Sequence, residues 1–410
     1  PLAFSAFSQQ KKPLDHTVYD HWKDLTNAAV SDNGNWISFE INPQQGNGRL
    51  YFYDVRNATL DSLSRGHKAH FMPNGEALVY SMKPVFEKVL KMKRKKVKKD
   101  KLPKDSLVVY SFKTGAVKKF GEIQKVQVPE IASDWIAVLM KKGKKPEKEE
   151  KNKTENTQKE TDKKLKKASG AVLMLYNVKT GDSVGFKHVT HFELSKNGKT
   201  CIFVTIPRDT VDKVLVMTFF THSHKTDTLF AADAFVKNVA IDEAGAQAAF
   251  TSSSDTVKNK AYELYYVDLK KEKKILVTGK NFGQLRKGWS ASTHGKIYFN
   301  KTGSELYFGT APKPLPPLKD TLAPDEKVSL DVWTYHDTIL QPQQKVQLKR
   351  EKNRSYPAVF FPRDNRLVQL AGPKLKEVRI NPKAKGVYSM GFDNRPYLKM
   401  TSWIGQWYND

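Results

Sequence analysis

The sequence predicts an all-β fold, a β-propeller of about seven or eight four-stranded blades whose last blade is incomplete and whose blade connections carry lysine-rich insertions. Three observations predict it. The first is a repeated turn-and-strand pattern, in which an apolar residue is followed by turn-type residues ending in glycine and an aromatic residue stands five positions beyond that glycine. Five copies are present, at Val30/Gly34/Phe39, Phe71/Gly75/Tyr80, Leu194/Gly198/Phe203, Ile241/Gly245/Phe250 and Phe299/Gly303/Phe308. Glycine supplies the positive φ of a tight hairpin, and side chains alternate along the strand that follows, so Ile37 with Phe39, Leu78 with Tyr80 and Leu306 with Phe308 are expected to point inward. The second observation is that each copy is followed by another hairpin, as in LYFYDVRNATLDSL and LVVYSFKTGAVKKF. Two hairpins per period make four strands per period, the unit of a propeller blade. The third is spacing: the glycines are separated by 41, 123, 47 and 58 residues, and the longest interval holds a copy without its glycine, Ser133 to Val138.

On this basis the blades fall near residues 27–65, 66–122, 123–187, 188–233, 234–280 and 281–371, with a partial blade from 372 that contains a degenerate copy at Ile380 to Met390. Residues 1–8 read as the remnant of a signal peptide, since an apolar stretch closes on the small-x-small pattern Ala6-Phe7-Ser8. Residues 9–26 form an N-terminal segment, and 27–410 the propeller, with insertions at 84–104, 141–168 and 311–355. A secreted, periplasmic or envelope location follows from that reading. The last blade stops at TSWIGQWYND, where the pattern calls for a further strand, so the chain is expected to be part of a longer protein or to be closed by another segment or partner.

Charge is the other conspicuous property. The 410 residues hold 70 Lys+Arg against 43 Asp+Glu, a net charge of +27. It is unevenly placed. The segment Pro84 to Lys104 has ten basic residues and two acids, and Lys141 to Ala168 has twelve lysines and six acids, so these two segments carry +14. The second has almost no apolar residues and reads as a solvated insertion. The first begins with Val85, Phe86, Val89 and Leu90 at helical spacing. Clustered lysines can neutralise phosphates, but the dominance of Lys over Arg and the lack of interleaved aromatic residues disfavour a nucleic-acid partner against solvation or contact with an acidic envelope. No run approaches the ~18 to 20 apolar residues of a membrane-spanning helix, and the single cysteine, Cys201, excludes a disulfide framework and a thiolate zinc site.

No catalytic, cofactor-binding or metal-ligating residue is assigned. A peptidase nucleophile would sit in G-x-S-x-G on a strand-to-helix turn. The nearest string, Gly386-Val387-Tyr388-Ser389-Met390-Gly391, spaces its first glycine wrongly and lies in an expected strand, so Ser389 is set aside. The pairs His67/His70, His188/His191 and His222/His224 could each place two imidazoles together, but a metal needs more ligands. The first two pairs also occupy matching places in the repeat, as a structural position would. Glu149-Glu150 lies in the solvated insertion, a poor place for acid–base chemistry. Trp333, Tyr335, Trp403, Trp407 and Tyr408 are read as sheet packing ahead of a binding face, and residues 311–355 as a small subdomain on one rim.

The segments KPLDHTVYDHWKDLTNAAVSDNGNWISFEINPQQG, KPVFEKVLKMKRKKVKKDKLPKDSLVVY and SLDVWTYHDTILQPQQ, with a Lys/Glu-rich insertion between the last two, carry a further reading. In this order they resemble the N-terminal propeller of large exported serine peptidases of the prolyl-oligopeptidase and dipeptidyl-peptidase family, as found in Bacteroidetes. The resemblance implies a propeller that gates access of peptide substrates to a following α/β-hydrolase domain with a Ser-Asp-His triad. No hydrolase domain is present in these 410 residues, so no triad residue is carried over, the double-acid motif of dipeptidyl peptidases has no match, and the chain alone is expected to be inactive. The competing expectation is a standalone envelope β-propeller that binds a protein or glycan partner.

Overall fold

The computed structural model describes residues 16–131, 133–140, 171–207, 213–257, 259–278, 285–315, 326, 328, 330–381 and 388–405. They belong to two compact units, one of residues 1–141 with 175–183 and the other of 142–174 with 184–410. In the first unit, β1 (Lys23–Val30), β2 (Trp36–Pro43), β3 (Arg49–Asp54) and β4 (Thr59–Ser64) form an antiparallel sheet in chain order. A second sheet follows from β5 (Gly66–Phe71), β6 (Ala77–Met82), β7 (Ser106–Ser111) and the first half of β8 (Val117–Gln127), with helix α1 (Phe86–Arg94) inserted between β6 and β7. The second half of β8 turns to pair with β9 (Trp135–Met140) across a register shift between Ile123 and Lys125. One strand thus ends one blade and begins the next.

β10 (Ala171–Asn177) and β11 (Ser183–Leu194) follow, with residues 175–183 belonging to the first unit and 171–174 and 184–194 to the second. There the second half of β11 joins β12 (Thr200–Thr205), β13 (Val214–Phe220) and β14 (Lys225–Ala232). The next sheet is β15 (Phe235–Ile241), β16 (Gln247–Ser253), β17 (Glu263–Asp268) and β18 (Lys273–Leu276). After it come β19 (Trp289–Ala291), β20 (Tyr298–Phe299), β21 (Leu306–Pro312), β22 (Tyr356–Phe361) and β23 (Arg366–Gln369), with β19 and β20 both pairing β21. Helix α2 (Gln341–Lys352) lies between β21 and β22, and a hairpin of β24 (Glu377–Arg379) and β25 (Met390–Phe392) precedes helix α3 (Leu398–Ile404). Successive four-stranded antiparallel meanders of this kind are the blades of a β-propeller. Among the described residues no helix is long and apolar enough to cross a membrane.

The core lies between sheets. In the first unit Leu50 and Phe52 of β3 meet Leu78 and Tyr80 of β6 and Val108 of β7. In the second, Ile202, Val204, Val214 and Val216 meet Ala248, Phe250 and Val267 of the following sheet, which on its other face meets Phe308, Ala358 and Phe360. Because this middle sheet is covered on both faces, its central strand β16 is buried along nearly its whole length, from Ala248 to Ser253. This corrects one expectation. Leu78/Tyr80 and Leu306/Phe308 are buried, but in β2 the buried residues are Ser38 and Glu40, with Ile37 and Phe39 only half-buried. Ser38 and Glu40 stand opposite Phe52 and Leu50 in the ladder, on the face that packs against the second sheet.

Two boundaries also move. The first strand begins at Lys23, inside the expected N-terminal segment, because Lys23–Thr26 pair with Glu40–Pro43. The expected rim subdomain at 311–355 contributes the end of β21 and a single helix among its described residues. The signal remnant at 1–8 and the insertion at 141–168 lie outside the described residues.

The repeat glycines do more than turn the chain. Gly75, Gly245 and Gly303 have φ of +70°, +68° and +69°, and each lies against the turn of the preceding sheet: a Cβ there would stand 2.0 Å from Asn33 Nδ2, 2.7 Å from Thr200 Oγ1 and 2.5 Å from Gln247 Nε2, respectively. Hydrogen bonds link the same turns. Thr200 Oγ1–H donates to the Gly245 carbonyl at 2.8 Å, and the Gln247 side-chain amide to the Gly303 carbonyl at 3.0 Å. Gly115 has φ +67° but open space around it. Gly245→Ala should therefore cost about 2–3 kcal/mol in urea unfolding, and Gly115→Ala only the backbone part, about 1 kcal/mol. Equal costs would show that positive φ alone requires the glycine.

Candidate functional site

Two polar constellations stand out, and burial separates their roles. The first is in the first unit. Glu40, 2% exposed, accepts hydrogen bonds from Asn27 Nδ2 at 2.8 Å, Asn42 Nδ2 at 3.1 Å and the Lys68 backbone N–H at 2.7 Å. Asn27 and Lys68 can make these contacts because each sits at a bulge in the first strand of its sheet with φ of +52°, which turns its polar groups toward the carboxylate. Burial pushes the Glu40 carboxyl upward, but the three donors outweigh it and hold the group below its ordinary range. It is an ionised acceptor that ties two sheets together.

Nearby, His67 is 6% exposed with Nε2 2.9 Å from Asp105 Oδ2. Burial pushes the imidazole below the ordinary histidine range despite the carboxylate. The partner expected from spacing, His70, is exposed, as are His191, His222 and His224. Among the described residues no group of three His, Cys, Asp or Glu side chains could hold a metal ion. Cys201 is buried.

The second constellation is in the second unit, around α2, β24, β25 and α3. A cleft of about 450 Å³ is lined by Ile339, Gln344, Arg350, Arg354, Lys376, Asp393 and Arg395, among others. Its charges are paired. Arg354 bonds both oxygens of Glu351, with Nε at 2.7 Å from Oε2, and Arg395 bonds both oxygens of Asp393, at 2.8 Å from Nε to Oδ1 and 2.5 Å from Nη2 to Oδ2. Arg354 holds Glu351 below the usual carboxylate range, and Arg395 holds Asp393 down at about 2. Such fork-to-fork pairs fix side-chain geometry at a surface. A second cleft of about 520 Å³ shares Arg350 and Arg354 and reaches Tyr298, Tyr307 and Ser355.

The surroundings of these clefts are unusually apolar. Of the 23 large hydrophobic side chains exposed among the described residues, twelve fall in 328–348 and 388–404. Trp333 is 65% and Tyr335 87% exposed, and both line a third cleft with Leu340 and Lys399. Sheet packing, expected for these two aromatics, is therefore wrong: they lie in the segment leading to α2 and outside any sheet. Trp407 and Tyr408, like Glu149-Glu150, lie outside the described residues, as does the side chain of Trp403.

Ser389 is exposed, just before β25. No described serine hydroxyl is hydrogen-bonded to a histidine ring among the described residues. The clefts combine apolar lining residues, Ile339, Leu340 and Trp333 among them, with paired charges.

No protein-family model matches the chain, and no curated protein matches it. Among solved structures it is similar to the acylaminoacyl peptidase of Pyrococcus horikoshii at 9% identity, with 89% of this chain and 49% of that one covered and a TM-score of 0.37. It is also similar to the β-propeller domain of the Trilobed protease from Pyrococcus furiosus, at 8% identity over 88% and 89% of the chains and a TM-score of 0.37, and to a eukaryotic initiation factor, at 13% identity over 88% and 68% and a TM-score of 0.44. The second of these is the β-propeller domain of a protease. The chain spans about half the length of the acylaminoacyl peptidase.

Glu40 escaped the sequence reading although a signal existed. Six residues beyond the repeat glycine the copies carry Ser81, Val204, Thr251 and Gly309, and Glu40 is the charged exception. In β16 the same position, Thr251, accepts the Asn238 backbone N–H at 3.2 Å, a bond within one sheet.

Proposed function

We propose that this chain is the substrate-gating β-propeller portion of an exported serine peptidase of the prolyl-oligopeptidase type, with the catalytic α/β-hydrolase domain encoded beyond Asp410. The observation that carries the reading is the gathering of exposed large apolar side chains in 328–348 and 388–404, around clefts of paired charge. Exposed large apolar side chains concentrated on two segments mark an interface, and a second domain of the same protein is the occupant the reading assigns to them. Peptide substrates reach the catalytic domain past the propeller. The apolar close of residues 1–8 supports export.

The coding sequence beyond codon 410 tests this. The expected result is a G-x-S-x-G string within a few hundred codons, followed by an acidic residue and a histidine in the order of an α/β-hydrolase. A stop codon instead would overturn the reading and leave that surface to a separate protein or glycan partner, as in a standalone envelope-binding module.

A further inference from the structure

The insertion between β6 and β7 carries a second interaction surface, in the first unit, independent of the peptidase reading. It is rooted firmly: the Lys83 backbone N–H donates to the Arg65 carbonyl at 2.9 Å, and the Phe86 backbone N–H to Asn47 Oδ1 at 2.9 Å. From that root α1 runs from Phe86 to Arg94 with no residue buried. Its sides differ. Phe86, Val89 and Leu90, at i, i+3 and i+4, are half-buried, while Lys88, Lys91 and Arg94, at i, i+3 and i+6, are exposed on the other side. Lys93, Lys95, Lys96, Lys98, Lys99 and Lys101 extend the exposed charge past the helix end. Among the described residues none of these nine basic side chains has a carboxylate partner. Val85, the residue that precedes the helix, is 42% exposed.

We propose that α1 and the basic segment after it dock this protein on a bilayer surface bearing anionic phospholipid headgroups. Charge complementarity selects the occupant's sign, since Pro84 to Lys104 carries ten basic residues and two acids. Each lysine near such a surface adds about 1 kcal/mol of attraction, which fades within a Debye length. The incompletely covered apolar side selects a lipid interface over a nucleic acid: Val85, Phe86, Val89 and Leu90 can enter the headgroup boundary while the lysine stems reach outward, the arrangement of interfacial helices. A phosphate backbone would gain nothing from these apolar side chains, and Phe86 is the sole aromatic residue of the segment.

The test is co-sedimentation of the whole chain with phosphatidylcholine vesicles containing 30 mol % phosphatidylglycerol, with phosphatidylcholine vesicles alone and with a single-stranded RNA of about 20 nucleotides as a competing ligand. Binding to the anionic vesicles only, falling at least tenfold between roughly 0.1 and 0.5 M salt, is expected. The quadruple variant Lys91→Gln, Lys93→Gln, Arg94→Gln, Lys95→Gln should lower the binding constant by about a hundredfold. A charge-matched set in the exposed β17–β18 turn, Lys270→Gln, Lys271→Gln, Lys273→Gln, Lys274→Gln, should lower it far less. Val89→Ser with Leu90→Ser keeps every charge and should weaken vesicle binding several-fold without changing RNA binding. Should the serine pair shift the unfolding midpoint, the glutamine sets decide alone. Equal loss from the two glutamine sets, equal binding to neutral vesicles, or tighter binding to the RNA than to the vesicles would overturn the proposal.

Discussion

Replacing Glu40 by alanine should destabilise the first unit by about 3–5 kcal/mol, the range for stripping the partner from buried polar groups, and urea unfolding followed by tryptophan fluorescence measures it. The size follows from what remains behind. The Lys68 N–H and the Asn27 and Asn42 amides all point at the buried carboxylate, and the change leaves three donors without their common acceptor. Glu40→Gln should cost less, about 1–3 kcal/mol, because a carbonyl oxygen still accepts from Asn27 and Lys68 while the new amide opposes that of Asn42. A loss below 1 kcal/mol for Glu40→Ala would mean that the carboxylate is not the tie between the two sheets.

The same group sets an acid limit. Its folded pKa lies below the ordinary value of 4.5, so folding favours the ionised form. The stability it adds is fully present above the unfolded pKa and is lost as pH falls through the folded one. Wild-type protein should therefore lose stability below about pH 4.5 more steeply than Glu40→Gln, which has no proton to take up at this position.

The repeated turns were legible because each rests on local chemistry: a glycine at positive φ and an aromatic residue five positions on. Facing was not. Alternation states which residues share a side of a strand, but it does not say which side meets the neighbouring sheet. Hence Ile37 and Phe39 read as the inward pair in β2, while Ser38 and Glu40 face the second sheet. The buried carboxylate was hidden for a related reason, since its donor Lys68 comes 28 residues later, at a bulge whose backbone conformation no local pattern announces. Trp333 and Tyr335 were misread as packing because composition alone cannot say that the segment before α2 leaves its aromatics uncovered. The paired charges Glu351/Arg354 and Asp393/Arg395 lie three and two residues apart, yet their shared cleft requires α2 and β25 to meet.

The second large effect concerns chemistry. The 410-residue chain should fail to react with an active-site serine phosphonate, because such a reagent needs a hydroxyl activated by a positioned base. Ser389, the residue nearest to a nucleophile string, is exposed and carries no such base among the described residues. Under the proposed reading the reactive serine belongs to the domain that covers the apolar surface of 328–348 and 388–404, so reactivity should appear when that domain is present and be absent without it.

The direct measurement is therefore labelling by a serine phosphonate, read by intact mass, on the 410-residue chain and on the full gene product side by side. The account predicts one label per molecule of the full product and none on the chain. Stoichiometric labelling of the 410-residue chain, or none on the full product, would contradict it.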